Sequence, residues 1–277
     1  MPETILVLLR HSEEANSLLG AAARLAEIMG GARVNAVAVC ETIQIAPSPA
    51  ATLVGRSEAL LDAREEERER VLVLRGLCDG WNASTGRRAA EVHWFEAEGG
   101  TEDIVAQWGR RADVIVTGRP SPGDWLGHQA FKAALLGTGR PILMVPPGPA
   151  TSETGAAFGR CIAIAWRDDK QALRAVLPAL RWLAGAEEVH VLVGVSDTAH
   201  ALGVPSVLLE HGLRASLHVL ALRPGPLGQR LLDLAHNLSA DLLVMGAYAH
   251  SPLRELVFGG VTRHMLACAD LPVLMRH

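Results

Sequence analysis

A basic surplus is missing from this chain: 26 Lys and Arg stand against 30 Asp and Glu, for a formal net charge of −4. With no excess of cations to neutralise a phosphate backbone, nucleic acid is excluded as an expected partner. The four cysteines, Cys40, Cys78, Cys161 and Cys268, lie far apart and make neither Cys-x-x-Cys nor a zinc-type spacing with histidine, so they read as small buried hydrophobes in a reducing compartment. No stretch reaches the ~18 uninterrupted apolar residues of a membrane helix. The start, Met1-Pro2-Glu3-Thr4, lacks the basic and long apolar regions of a signal peptide. A soluble, cytoplasmic protein with no membrane partner is expected. Also lacking are a Gly-x-Ser-x-Gly elbow and a Gly-x4-Gly-Lys-Ser/Thr loop, the first requirements of common hydrolase and P-loop chemistry. Nothing pairs a nucleophile with a base, and an enzyme is not the expectation.

What the chain does have is apolar residues, 49% of the total against 20% charged, the balance of an α/β protein with internal parallel strands. At 277 residues it exceeds the usual span of one domain. It also repeats itself. Ala112-Asp113-Val114-Ile115-Val116-Thr117-Gly118 matches Ala240-Asp241-Leu242-Leu243-Val244-Met245-Gly246. Each is an apolar run too short for a helix, ended by a glycine where the chain turns. Pro141-Ile142-Leu143-Met144-Val145 matches Pro272-Val273-Leu274-Met275-Arg276, and Ile5–Arg10 matches Ile162–Arg167. Helical patterns over Glu13–Met29 and Lys170–Ala184 lead to further strands at Val34–Cys40 and Val189–Val195. The order strand, helix, strand, met twice, implies right-handed crossovers and parallel sheets with helices on both faces.

The first copy is longer, mainly through a predicted helix from Ser57 to about Leu77 whose run Arg64–Arg70 reads as a solvated face with a Glu66–Arg70 pair. The second copy keeps only Ser206–His211 there. Pro146–Gly155 has the composition of a linker, which places domains at 1–150 and 151–277.

The run from Ala240 to Ser251, with Leu253-Arg254-Glu255 and Gly259-Gly260-Val261-Thr262-Arg263-His264, resembles the C-terminal signature of the universal stress protein family, and the resemblance extends more weakly over the first copy. It implies two Rossmann-like, adenine nucleotide alpha hydrolase-like domains, each a five-stranded parallel sheet of order 3-2-1-4-5. Family members commonly pair through their last strands, so the resemblance also implies an internal pseudo-dimer that hides two sheet edges. A homodimer of whole chains stays open.

A ligand of such a sheet binds beyond the carboxyl ends of its strands, where the strand order reverses. Nucleotide-binding relatives carry Gly, two residues, Gly, nine residues, Gly, then Ser or Thr after the fourth strand. Glycines there let backbone approach phosphates, and the last pair opens a helix that favours an anion. Here Gly246 and Gly259 fit, Ala249 stands at the second glycine and Gly260 at the hydroxyl residue, with Thr262 and Arg263 close by. Where those relatives have Asp after the first strand, both copies have Arg, Arg10 and Arg167, which only donates hydrogen bonds. The candidate anion or nucleotide site is thus Arg167, Gly246, Ala249, Gly259, Gly260, Thr262 and Arg263. The two function readings are a non-catalytic stress-response protein, and an ATP sensor or weak ATPase using ATP with Mg²⁺ in the second copy.

In the first copy Gly118 is followed by Arg119-Pro120-Ser121-Pro122-Gly123-Asp124-Trp125, with the wrong glycine spacing and two prolines that lack an N–H. A structural turn and no nucleotide are expected there. A helix follows from about His128 to Leu136, and Trp125, in the proline-glycine loop, is the tryptophan expected at a ligand or partner contact. The histidine pairs His211 with His218, and His250 with His264, read as surface or satisfied core residues, not as metal ligands.

Overall fold

A computed structural model describes residues 3–41, 53–85, 90–148, 158–195, 203–221, 225–247 and 260–277. The first half runs β1 (Thr4–Leu9), α1 (Ser12–Ile28), β2 (Arg33–Glu41), α2 (Leu53–Thr85), β3 (Val92–Gly99), α3 (Thr101–Gly109), β4 (Val114–Gly118), α4 (Trp125–Gly137) and β5 (Ile142–Val145). The second half repeats the series as β6 (Cys161–Trp166), α5 (Lys170–Leu183), β7 (Glu188–Val195), α6 (Ser206–Glu210), β8 (Ser216–Ala221), α7 (Leu227–Asn237), β9 (Leu242–Gly246), α8 (Gly260–Cys268) and β10 (Val273–Arg276).

All ten strands form one sheet, in the order β3-β2-β1-β4-β5-β10-β9-β6-β7-β8. Each half therefore has the expected 3-2-1-4-5 order, and the halves meet at the last strands. There β10 lies antiparallel to β5, with Leu274 opposite Leu143 and Met275 opposite Ile142; every other pairing is parallel. An antiparallel junction between two like sheets corresponds to a pseudo-twofold axis perpendicular to the sheet, which keeps equivalent helices on the same face. Accordingly α1, α2, α5 and α6 supply one core layer with the Ile5, Val7 and Leu9 face of β1. The helices α3, α4, α7 and α8 supply the other, with Leu6 and Leu8. Strands buried on both faces need continuous apolar runs, which is why the pattern is not alternating.

The recurrent aspartate of the repeat has a physical reason. Asp113 accepts the Thr4 N–H at 2.9 Å, and Asp241 accepts the Cys161 N–H at 3.1 Å, so each pins the start of its half's first strand. Pro178 inside α5 leaves the Arg174 carbonyl without its helical donor, and Arg276 from β10 donates to that carbonyl at 3.4 Å.

Several boundaries differ from the sequence reading. The helix expected from Ser57 runs from Leu53 to Thr85, and its charged run is not all solvated. Arg70 pairs with Glu67, not Glu66, and donates to the carbonyls of Val39 at 2.8 Å and Arg10 at 2.9 Å. The i,i+3 partner wins because it also accepts the Glu41 N–H at 3.1 Å, which holds it at the sheet edge. Trp125 is the exposed first residue of α4 and not a loop residue, because Asp124 caps that helix by accepting the Gly127 N–H at 2.9 Å. No helix of the described residues is long and apolar enough to cross a membrane.

Candidate functional site

In each half the strand order reverses between the first and fourth strands, and the crevice beyond their carboxyl ends is built from the residue after the first strand, the glycine ending the fourth, and the adjoining helix starts. In the first half these are Arg10 and Gly118. The crevice is filled by the chain itself: Arg10 faces Asp124 at 3.8 Å, and His11 Nε2 meets the same carboxylate at 3.1 Å. The Glu14 carboxylate packs onto Gly118 so closely that a Cβ added there would overlap it. Burial pushes the Glu14 carboxyl up to about 7, with Asp124 adding to the rise and His11 and Arg10 opposing it. For Asp124 burial acts upward, but the Gly127 N–H, His11 and Arg10 outweigh it and hold the carboxyl below its usual range. Burial lowers the Arg10 guanidinium, and Asp124 opposes that.

The second half uses the same parts differently. Arg167 is exposed and pairs with Asp169. Asp169 also caps α5 by accepting the Ala172 N–H at 2.8 Å. Gly246 ends β9, and a Cβ there would lie 2.6 Å from the backbone carbon of Gln171 and 2.7 Å from the Ala172 nitrogen. The first turn of α5 therefore rests directly on Gly246, which accounts for this glycine by helix packing without any ligand. Gly260 opens α8 in open space. Thr262 is buried at 3% exposure, while Arg263 is exposed. Ala249 and Gly259 lie outside the described residues, as does His250. Of the seven predicted residues, Arg167 and Gly246 end neighbouring parts of the sheet, and Gly260, Thr262 and Arg263 share one helix.

The description Universal stress protein family belongs to a family model that matches residues 186–277. Over those residues the second half matches the universal stress protein family. The likeness of fold extends further. A universal stress protein from Archaeoglobus fulgidus superposes over 99% of this chain and 95% of its own, with a TM-score of 0.70 at 13% identity. A functionally unknown protein from Pseudomonas aeruginosa superposes over 99% of this chain and 92% of its own, with a TM-score of 0.59 at 17% identity. The whole chain thus has a tandem universal stress protein-like fold. No curated protein matches the sequence.

Sequence reasoning missed Glu14 and the aspartate caps Asp124 and Asp169, which decide what each universal stress protein-like crevice contains. Their signal was present: an aspartate three residues before a helical N–H is a capping pattern. Glu14, in the first turn of α1, had none, since it packs on a glycine more than a hundred residues away. The histidine pairing also differs. His211 Nδ1 meets the Val207 carbonyl at 2.9 Å, whereas His218 meets His190 at 3.1 Å, because strand register and not sequence spacing places them.

Proposed function

We propose that this chain is a non-catalytic stress-response protein of two tandem universal stress protein units, residues 1–150 and 151–277, that works by binding and carries no nucleotide in its first unit. One observation carries the reading: the crevice where relatives of this fold would seat an anion is filled in the first unit by Glu14, Asp124, Arg10 and His11. A buried carboxylate beside the position of a phosphate is repulsive, and desolvating both makes it more so. In the second unit the explanation of Gly246 by helix packing and the burial of Thr262 weaken the case for a phosphate cradle. The net charge of −4 supports a role without nucleic acid.

The second reading is an ATP sensor or weak ATPase using Arg167, Gly246, Ala249, Gly259, Gly260, Thr262 and Arg263. It is favoured by the free space at Gly260 and the exposed cations Arg167 and Arg263. Equilibrium dialysis with ATP and Mg²⁺ separates the two. The first reading expects no saturable binding at micromolar ATP, and the double variant Ala249→Gly with Gly260→Ser should not create it. Micromolar affinity in the unaltered chain, tightened by the double variant, would establish the second reading in its place.

A further inference from the structure

The opposite end of the second half, at the amino ends of β6 and β7, holds a surface pocket of about 540 Å³ lined in part by Arg160, Asn237 and Ser239. In its wall Cys161, Glu188 and His190 each present one ligand atom, and these atoms all lie within 4.8 Å of one another. The strands dictate this meeting. Cys161 is the register partner of Glu188, and Ala163 of His190, so alternation puts all three side chains on the sheet face covered by α7 and α8. His218, opposite Leu192 on β8, falls on the same face and meets His190 Nδ1 at 3.1 Å with its Nε2. That leaves His190 Nε2 for the cluster, 3.1 Å from Glu188 Oε2.

We propose that Cys161, Glu188 and His190 bind a borderline-soft divalent cation of the Zn²⁺ kind, with a fourth position open to solvent in the pocket and His218 positioning His190. Sulfur, imidazole and carboxylate together are a Zn²⁺ donor set, and three protein ligands with one open place is a known coordination pattern. A tetrahedral ion with bonds of about 2.0–2.3 Å needs donors roughly 3–4 Å apart; His190 and Glu188 meet that at 3.1 Å, and no pair of the three donors is more than 4.8 Å apart. An ion pair of His190 with Glu188 would explain that one contact, but it gives Cys161 and His218 no part. The backbone under the thiol is already fixed, since Asp241 accepts the N–H groups of Gly159 at 2.7 Å, Arg160 at 3.0 Å and Cys161 at 3.1 Å. Burial, then Glu188 and Asp241, hold the thiol protonated; its hydrogen points to the Leu238 carbonyl at 3.2 Å. On binding, the cation replaces that proton, which leaves to solvent. The first half supplies an internal comparison: register puts Thr4, Arg33 and Asn35 at the equivalent places, and this set contains no thiolate, carboxylate or imidazole.

The test uses the full chain, stripped with a chelator and titrated with Co²⁺ and then Zn²⁺. The expected result is a stoichiometric complex with a sulfur-to-cobalt charge-transfer band in the near ultraviolet, displaced by Zn²⁺ and lost in Cys161→Ser. No binding, binding without the band, or a band that survives Cys161→Ser and so belongs to Cys40, Cys78 or Cys268, would overturn the proposal. Thermal unfolding without metal checks that Cys161→Ser still folds. Glu188→Gln, at an exposed side chain, gives a second route and should weaken Zn²⁺ binding at least tenfold; unchanged affinity would count against the site. His218→Ala should weaken it about 10–100-fold while keeping the cobalt band, with partial recovery in His218→Gln. Unchanged affinity there would remove the positioning role.

Discussion

The two halves have one topology and two different crevices. In the first, the ends of β1 and β4 are closed by side chains from α1 and the start of α4; in the second, the ends of β6 and β9 are approached by the backbone of α5. In both, an arginine after the first strand meets a helix-capping aspartate, but the cap comes from the helix after β4 in one half and from the helix after β6 in the other. A repeat therefore conserves strand order and core layers far more strictly than it conserves the chemistry at its open ends. The core is fixed by burial over many residues, whereas an end is set by two or three side chains.

The largest expected effect tests whether the halves stand or fall together. Leu274 and Leu143 face each other across the junction, both fully buried. Leu274→Ala should cost about 2–5 kcal/mol from lost transfer energy and the cavity left behind. Hydrogen exchange should accelerate in peptides from β1 as well as β6, because the sheet is continuous. Acceleration confined to the second half would show that the halves open independently.

A smaller effect separates the two glycines. Neither Gly118 nor Gly246 has a positive φ, so space and not backbone freedom is the reason for each. Gly246→Ala pushes a methyl against the α5 backbone and should cost about 1–3 kcal/mol. Gly118→Ala meets only the far end of Glu14, which can rotate away, and should cost less than about 1 kcal/mol. Urea denaturation of both variants checks the order; equal costs would mean that the crevices are closed by obstacles of equal stiffness.

Most of the fold was legible because repeats and apolar runs are local features. The runs Val114–Gly118 and Leu242–Gly246, each after Ala-Asp, specified buried fourth strands, and the prolines at 141 and 272 marked the last ones. The candidate site was less legible. Gly246 looked like a phosphate contact because a glycine demanded by packing and one demanded by a ligand are the same residue in a sequence. Glu14 and His190 gave no sign, and His218 was set beside His211 and not His190, since each acquires its partner only through tertiary structure or strand register.

The subtlest difference between the halves is one of pH. Glu14 has no described counterpart at Gly246, where backbone takes its place; among the described residues of the two crevices it is the Glu14 carboxyl whose ionisation is raised from 4.5 to about 7. The unfolded chain ionises this group near 4.5, while the folded chain resists until about 7. Between those values the unfolded state holds fewer protons, so stability falls as pH rises. Below the window both states are protonated and the contribution is fully present; above it both are ionised and the loss is complete. Partial solvent contact discounts the effect to on the order of 1–2 kcal/mol. Glu14→Gln keeps the shape and removes the titration, so the unaltered chain should lose stability relative to the variant from pH 4.5 to 7, measured as the difference in urea midpoints. A difference that stays flat across that range would show that the carboxyl is as well solvated in the fold as outside it, and that the side chain of Glu14 does not close the first crevice.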